Sequence, residues 1–290
     1  MKKIAEILKS KYSTTLYIGE LQPEWDFDDI KTRFGLRILH IKSDEFFSAF
    51  DSLSDTVVTK ELEKWRSSFI KIIEPSGQDL MNATRTYIVL RNLCKIHGAE
   101  SFAFNCLTLH SGRCEAIPCL AFARLMDEGI VCACEGDISS LIALIMLTAA
   151  SGKPSIMGNV RVLQAKHPLK GFEIAIEHCI LPLSISNCPG FVVRDHHGRG
   201  HGVTGYATIK TGEPATVLII DSLLKKASIF EGVVSGSAEG ESCRIGIRIA
   251  SNNLTNESPA LIYGHASLTI GNWSEEIVAA SEFFGLEYQQ

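Results

Sequence analysis

The chain has 290 residues, of which 46% are hydrophobic and 21% are charged, so it is long enough for one large globular domain or two smaller ones. A net charge of −5 without a basic stripe argues against a nucleic-acid-binding protein. The lysine-rich N-terminus lacks the apolar core of a signal peptide, and the longest apolar run is too short to span a bilayer. We therefore expect a cytoplasmic protein that does not contact membranes.

The first half of the chain alternates segments typical of strands and of helices. This alternation predicts a parallel sheet with helices on its faces, in a Rossmann-like α/β domain over residues 1–155. The predicted strands are 14–19, 36–42, 101–107 and 130–134, and the predicted helices are 23–34, 44–73, 78–97, 114–129 and 138–150.

The second half consists of short, β-branched segments separated by glycine-containing turns. Such a pattern predicts a β-barrel or a sandwich, here a β-rich C-terminal domain over residues 156–290 that ends in a helix at 274–284. No linker separates the two halves, so a cleft between them is the expected place for a ligand.

The nine cysteines are an odd number, and several lie inside apolar runs. In a chain without an export signal they are expected to be reduced and buried. Cys132 with Cys134, and Cys114 with Cys119, lack the C-x-x-C spacing of a structural zinc site.

Two carboxylates stand between an apolar strand and an uncharged helix. Glu135 follows the predicted strand 130–134, and Asp137 precedes the predicted helix 138–150. Asp137 fits a helix N-cap, whose side chain accepts backbone N–H groups. Glu135 has no such role, and a carboxylate in an apolar setting needs a partner because burial penalises its charge. Since ligands of parallel sheets bind beyond the carboxyl ends of the strands, we expect Glu135 to belong to a functional site.

Three polar residues of the β-rich half lie in apolar segments: Asn159 in IMGNVRV, His178 in IAIEHCILPL and His265 in LIYGHASLTIG. Each alone is more typical of a hydrogen-bonded core or strand-end residue than of a ligand. One glutamate and two histidines together form a workable donor set for a divalent first-row cation. Their spacing does not identify a metal site, because the residues lie on different segments.

The run PCLAFARLMDEGIVCACEGDISSLIALIMLTAASGKPSIMGNVRV resembles the catalytic segment of the L-fucose isomerase and L-arabinose isomerase family. EHCILP and GHASLTIG follow in that family's order, so the resemblance extends over residues 100–275. It implies a metal-dependent aldose–ketose isomerase of carbohydrate metabolism that acts through an enediol or enediolate. It also implies Mn²⁺ or another divalent first-row cation, a sugar ligand, and a homo-oligomer such as a trimer or hexamer.

The resemblance also implies roles for individual residues. Glu135 and His265 match a glutamate and a histidine that bind manganese in the fucose isomerases. Asn159 stands where those enzymes carry a second, acidic ligand, and His178 is the nearest equivalent of a further histidine ligand in the arabinose isomerases. Glu135 is then the residue that moves a proton between two sugar carbons, and Asp137 is the nearest candidate for a second base, with His178 and His197 as others. The predicted metal ligands are thus Glu135, Asn159, His178 and His265, and the predicted catalytic residues are Glu135, Asp137 and Asn159.

Two departures from the family pattern lead to an alternative. The amide of Asn159 can coordinate a cation but cannot shuttle a proton, and loss of a general base typically costs about 10²–10⁴ in rate. Family members also carry a further α/β domain ahead of the matching part, for which this chain has no room. The alternative is a weak or inactive relative that binds a sugar or sugar acid as a regulatory or partner subunit. A metal-dependent lyase or epimerase is a third possibility.

The loop RDHHGRGHGVTG (194–205) places three histidines among glycines. It fits an exposed turn between strands, or a loop that binds metal, sugar or phosphate. The resembled family has a similar turn near its pocket, so we predict that His197 and Arg194 contact the substrate.

Overall fold

The structure is a computed structural model that describes residues 2–22, 25–109, 113–163, 172–240, 243–252 and 264–289. Its first part alternates helices and strands, as predicted. In chain order the elements of this part are α1 (Lys2–Ser10), β1 (Thr14–Ile18), α2 (Phe27–Phe34), β2 (Arg37–Ile41), α3 (Ser43–Ser52), α4 (Asp55–Trp65), β3 (Phe69–Ile72), α5 (Gly77–His97), β4 (Ser101–Phe104), α6 (Cys106–Leu109), α7 (Cys119–Asp127), β5 (Val131–Ala133) and α8 (Ile138–Ser151).

Four of the strands of this part form a parallel sheet in the order β2-β1-β4-β5. The carboxyl ends of all its described strands therefore meet at one edge, and the turn between β5 and α8 lies at that edge. The predicted parallel-sheet α/β class is confirmed.

Two predicted helices begin later in the structure than in the sequence pattern. Asp26 caps α2 by accepting the backbone N–H groups of Asp28 and Asp29, so this helix begins at Phe27. The predicted helix 114–129 begins only at Cys119, immediately after a proline.

The prediction of helix throughout residues 44–73 is wrong in two places. The helix is interrupted at Leu53 and Ser54, whose backbones are extended, and it ends before Phe69. From Phe69 onward the chain forms β3, which pairs in parallel with a strand of the second part. A tertiary strand pairing has thus overridden a locally helical pattern.

The second part is β-rich, and six of its described strands close into an antiparallel barrel in the order β10-β13-β6-β7-β12-β11, with β11 returning to β10. The prediction of a barrel or sandwich is thereby resolved in favour of a barrel. Its elements are β6 (Ile156–Leu163), β7 (Phe172–His178), β8 (Phe191–Arg194), β9 (Thr204–Tyr206), β10 (Pro214–Ile220), β11 (Lys226–Ala238), β12 (Ile245–Ser251), β13 (His265–Ile270), α9 (Ser274–Phe283) and β14 (Glu287–Gln289).

A small sheet in the order β3-β8-β9 joins the two parts. After the predicted last helix the chain forms one more strand, β14, which pairs in parallel with β11. The boundary at residue 155 stays a prediction.

The uncharged helix α8 lies between the parallel sheet and the barrel. Its residues 138–147 are all buried, and it packs on β5 from one part and on β13 and β10 from the other. A helix that is apolar on every side requires such burial, which explains why this segment carries no charge. Within the described residues, no helix has both the length and the apolarity to cross a membrane.

Candidate metal centre

Glu135 lies at the carboxyl edge of the parallel sheet, in a tight turn between β5 and α8. Its backbone is left-handed (φ 59°), as is that of Gly136 (φ 68°). A side chain at Gly136 would place its Cβ 2.5 Å from the Tyr17 hydroxyl oxygen, so only glycine fits there. A non-glycine residue held in this conformation next to a cleft is typical of a functional position.

A short chain of hydrogen bonds fixes this turn. Trp25 Nε1 donates to Gln22 Oε1 at 3.0 Å, and Gln22 Nε2 donates to the carbonyl oxygen of Glu135 at 3.0 Å. The side chain of Glu135 is left about one-third exposed (32%), turned neither into the core nor fully into water.

Asp137 caps α8, as predicted. Its Oδ1 accepts the backbone N–H of Ser140 at 2.9 Å, and its Oδ2 lies 3.0 Å from Nδ1 of His265. Burial alone would raise the pKa of this carboxyl, but the hydrogen bond from His265 and that from Ser139 together hold it below its usual value. Asp137 is therefore an ionised acceptor that holds the proton of His265 on Nδ1.

His265 begins β13 and is nearly buried. Burial opposes its protonated form, yet the hydrogen bond to Asp137 outweighs this effect and raises the pKa of His265. Because Nδ1 is engaged, Nε2 is the free nitrogen, and it lies 3.6 Å from Oε2 of Glu135. Nε2 is buried and has no hydrogen-bond partner among the described residues.

His178 ends β7 and is buried. Its Nε2 lies 3.9 Å from Oε1 of Glu135, and its Nδ1 is buried without a hydrogen-bond partner in the described part of the chain. Burial lowers the pKa of His178 to about 3, so the ring is neutral at ordinary pH. A neutral imidazole is the form that binds a metal ion.

These side chains converge on one point. One candidate ligand atom from each of Glu135, His178 and His265 lies within 4.8 Å of the others. Ligands about 2.1 Å from a shared cation lie roughly 3–4 Å apart, which agrees with the two nitrogen–oxygen distances given above. The orphaned buried nitrogens and the N₂O donor set thus fit a divalent cation. Burial also raises the pKa of Glu135, although the nearby His265 partly opposes that rise.

Asn159 lies beside this group on the barrel wall. It is exposed on β6 and pairs in register with His265 on one side and with Glu177 on the other. The structure thus places the predicted second ligand next to the third, and its roles as ligand and as catalytic residue stay predictions.

A cleft of about 820 Å³ opens at this edge of the sheet. Glu135, Asp137 and His265 line it together with Gln22 and Trp25. Its opposite wall comes from residues 219–226 of the barrel. The cleft between the two parts lies where the sequence predicted it.

Arg194 and His197 are occupied by other partners. Arg194 forms an ion pair with Glu74 at 2.7 Å and another with Glu239. His197 Nε2 lies 3.6 Å from the Cys243 sulfur. The predicted contacts of both residues with substrate stay predictions.

The sequence reasoning missed a group of sulfur and imidazole side chains formed by Cys119, Cys179, Cys243, His196 and His197. Cys119 and Cys179 interact through their thiols, and Cys119 lies 3.5 Å from Nδ1 of His196. The expectation of reduced, buried cysteines is correct for these three. The absence of C-x-x-C spacing, however, concealed their proximity, because they come from distant segments.

Comparison with known proteins supports the resemblance in part. Residues 24–152 match the family model described as the L-arabinose isomerase central domain. This match covers less than half of the chain and supports kinship of the α/β part with an isomerase family. No curated protein matches the chain.

Proposed function

We propose that the protein is a divalent-metal-dependent aldose–ketose isomerase of carbohydrate metabolism. One observation carries the proposal: a carboxylate and two imidazoles meet at the end of a parallel sheet, and each imidazole has a buried nitrogen without a hydrogen-bond partner among the described residues. The match of residues 24–152 to the L-arabinose isomerase central domain supports it independently.

Glu135, His178 and His265 would hold the cation. Mn²⁺ suits the proposal because it accepts carboxylate and imidazole ligands together. When bound, the cation would polarise the sugar carbonyl and stabilise the negative charge of an enediolate.

Glu135 is the residue proposed to move the proton between the two sugar carbons. Its carboxylate takes a proton from the hydroxyl-bearing carbon and returns a proton to the carbonyl carbon, while the hydroxyl proton passes to the former carbonyl oxygen, so no net proton is consumed. Burial raises the pKa of Glu135 in the metal-free protein, whereas a cation bound to its carboxylate would lower that pKa and keep the group ionised as a base.

Asp137 acts in this proposal as a positioning residue. By accepting the proton on Nδ1 of His265, it directs Nε2 of the same ring toward Glu135. Histidines that ligate metals commonly donate their second N–H to a carboxylate in this way. Asp137 is engaged by His265, Ser139 and Ser140, so Glu135 is left as the proposed base.

The decisive experiment measures Mn²⁺ binding to the metal-stripped full chain by calorimetry, beside Glu135→Gln and His265→Ala. We expect about one ion per chain, with binding lost in both variants. His97→Ala is the matched control, because His97 ends α5 and lies at the opposite edge of the sheet. Binding retained in Glu135→Gln and His265→Ala would refute this site.

Activity is tested on a panel of aldoses, with products identified by NMR in D₂O. Isomerisation with deuterium incorporated at the carbon next to the carbonyl supports the proposal. Elimination products would indicate a lyase, and inversion at the same carbon an epimerase. Sugar binding without turnover would favour a regulatory or partner subunit. The exposed amide of Asn159, next to His265, is the observation that favours this second candidate.

The choice of sugar, the trimeric or hexameric assembly and the cytoplasmic location stay predictions.

A further inference from the structure

A second group of side chains with the donor atoms of a metal site adjoins the group at Glu135 in the sequence. His178 belongs to the carboxylate-containing group, and the next residue, Cys179, belongs to a group of three thiols and two imidazoles. We call this second group the sulfur cluster, and its members are Cys119, Cys179, Cys243, His196 and His197.

Four separate segments contribute to the sulfur cluster. Cys119 begins α7, Cys179 follows β7, and Cys243 lies two residues before β12. His196 and His197 lie in the loop between β8 and β9. The three thiols are 1–7% exposed, so the cluster is closed to bulk water on the sulfur side.

A tetrahedral zinc site takes four ligands, and Cys179, His196 and His197 offer three whose ligand atoms all lie within 4.8 Å of one another. Cys119 and Cys243 are the two candidates for the fourth ligand, since each lies at ligand spacing from one of the histidines. Sulfur and nitrogen ligands of one Zn²⁺, bound at about 2.3 and 2.0–2.1 Å, lie roughly 3.5–3.6 Å apart. Cys119 Sγ lies 3.5 Å from His196 Nδ1, and Cys243 Sγ lies 3.6 Å from His197 Nε2. The sulfur of Cys179 lies within 4.8 Å of one nitrogen of each histidine.

The loop that carries the histidines is held in an unusual shape. The rings of His196 and His197 stack with centroids 3.8 Å apart, and His197 has a left-handed backbone (φ 56°). Consecutive residues seldom direct their rings to the same place, so a strained backbone here indicates a function. The backbone N–H of Leu120 binds the Val203 carbonyl at 3.1 Å, which ties the loop to α7.

The surroundings of Cys179 also suit a thiolate that is bound to a metal. Its sulfur accepts the backbone N–H of Arg244 at 3.4 Å and has side-chain hydrogen bonds with Cys119 and Cys243. Arg244 is itself fixed by an ion pair with Asp195, at the start of the histidine loop. Residues that hydrogen-bond to a metal ligand hold it in the orientation that binding requires and adjust the affinity of the site for the metal.

We propose that the sulfur cluster is a binding site for Zn²⁺ or a similarly soft divalent cation, separate from the site at Glu135. Thiolates select such ions, whereas the group at Glu135 offers a carboxylate with two imidazoles and no thiol. A bound ion would cross-link the segments of the chain that supply its ligands. It would also fix the end of β7, and with it the position of His178. The inference does not depend on the isomerase proposal.

The test is metal analysis of the untagged full chain, followed by titration of the stripped protein with Zn²⁺ and with Co²⁺. We expect about one tightly held zinc per chain and, with Co²⁺, the thiolate charge-transfer absorption of a tetrahedral site. Cys179→Ser should lose this zinc and this absorption, and so should whichever of Cys119→Ser and Cys243→Ser removes the fourth ligand. Cys94→Ser, which alters a buried thiol of α5, should keep both.

Two results would overturn the proposal. One is a wild-type protein that binds Zn²⁺ no more tightly than Cys179→Ser. The other is Co²⁺ absorption without thiolate character. Either result would leave the five groups as hydrogen-bonded thiols and imidazoles, since S–H···N bonds have similar lengths. If a variant fails to fold, the reactivity of the wild-type thiols with a disulfide reagent, with and without Zn²⁺, decides, because bound Zn²⁺ should protect Cys179 and the cysteine that completes the site.

The two sites can be separated in the same experiment. Glu135→Gln should lose Mn²⁺ binding and keep zinc. If the sulfur cluster binds no metal while the Mn²⁺ titration succeeds, the isomerase proposal stands and only the present inference fails.

Discussion

The two side-chain groups differ in donor chemistry and in access, although their members His178 and Cys179 are neighbours in the chain. The group at Glu135 supplies one carboxylate and two imidazoles, and its carboxylate is 32% exposed at a cleft. The sulfur cluster supplies three thiols that are 1–7% exposed. An exposed oxygen ligand leaves room for a substrate beside a hard cation, whereas a closed thiolate shell leaves none. In our two proposals, the group at Glu135 is therefore the reactive site and the sulfur cluster is a structural one.

The largest expected effect is at the open site. Glu135→Gln keeps the shape of the side chain but removes the proton acceptor, so isomerisation should fall by about 10²–10⁴. Steady-state kinetics on the best aldose of the panel measures this fall. Gln22→Ala, which loosens the Glu135 turn without removing its carboxylate, should cost much less. Equal losses in the two variants would contradict the assigned role of Glu135.

Asp137→Asn tests the positioning of His265. The amide retains one oxygen for capping α8, but its NH₂ group replaces Oδ2 and faces Nδ1 of His265. The ring would then carry its proton on Nε2, the nitrogen needed for the cation, so Mn²⁺ affinity should fall about 10–100-fold. Zinc content should not change, which separates this effect from general unfolding. Unchanged Mn²⁺ affinity would show that Asp137 is only a helix cap.

Asn159→Asp tests whether the open site is a weakened form of the isomerase site. The new carboxylate would lie opposite His265 on the barrel wall, so Mn²⁺ affinity should rise, by about tenfold for one added charge–charge contact of about 1.4 kcal/mol. Calorimetry measures the change, and Asn159→Ala is the control. Weaker binding in Asn159→Asp would mean that the site has been rebuilt for other chemistry.

The smallest expected effect is a pH dependence of stability in the metal-free protein. The lowered pKa of Asp137 stabilises the fold above the ordinary carboxyl value, and this stabilisation is lost as the pH falls through the lowered pKa. The raised pKa of His265 stabilises the fold below the ordinary imidazole value, and this is lost as the pH rises through the raised pKa. The pair should therefore contribute most between about pH 4 and 6.5.

Thermal unfolding with a chelator present measures this contribution as the difference in Tm between the wild type and His265→Ala. The difference should be a few degrees, for a contribution of about 1 kcal/mol, and should shrink on both sides of that window. A difference that does not vary with pH would contradict the ion pair.

Local signals in the sequence determined the classes of the two halves. Alternating strands and helices predicted the parallel sheet, and the uncharged run at 138–150 predicted a buried helix. The same local logic identified Asp137 as a helix cap and Glu135 as a carboxylate in need of partners. These features depend on periodicity and on hydrogen bonds between near neighbours, which a single sequence displays.

Only the tertiary structure decided which side chains meet. Asp137 and His265 are 128 positions apart, and they touch because α8 packs against β13 and because the register of the barrel places His265 at that edge. The conversion of residues 69–72 from a predicted helix into β3 likewise depended on pairing with β8. The sulfur cluster is the clearest case, because closure of the barrel and the β8–β9 loop bring together cysteines that no local spacing connects. Sequence patterns record local preference, whereas a site is made by register and packing between distant segments.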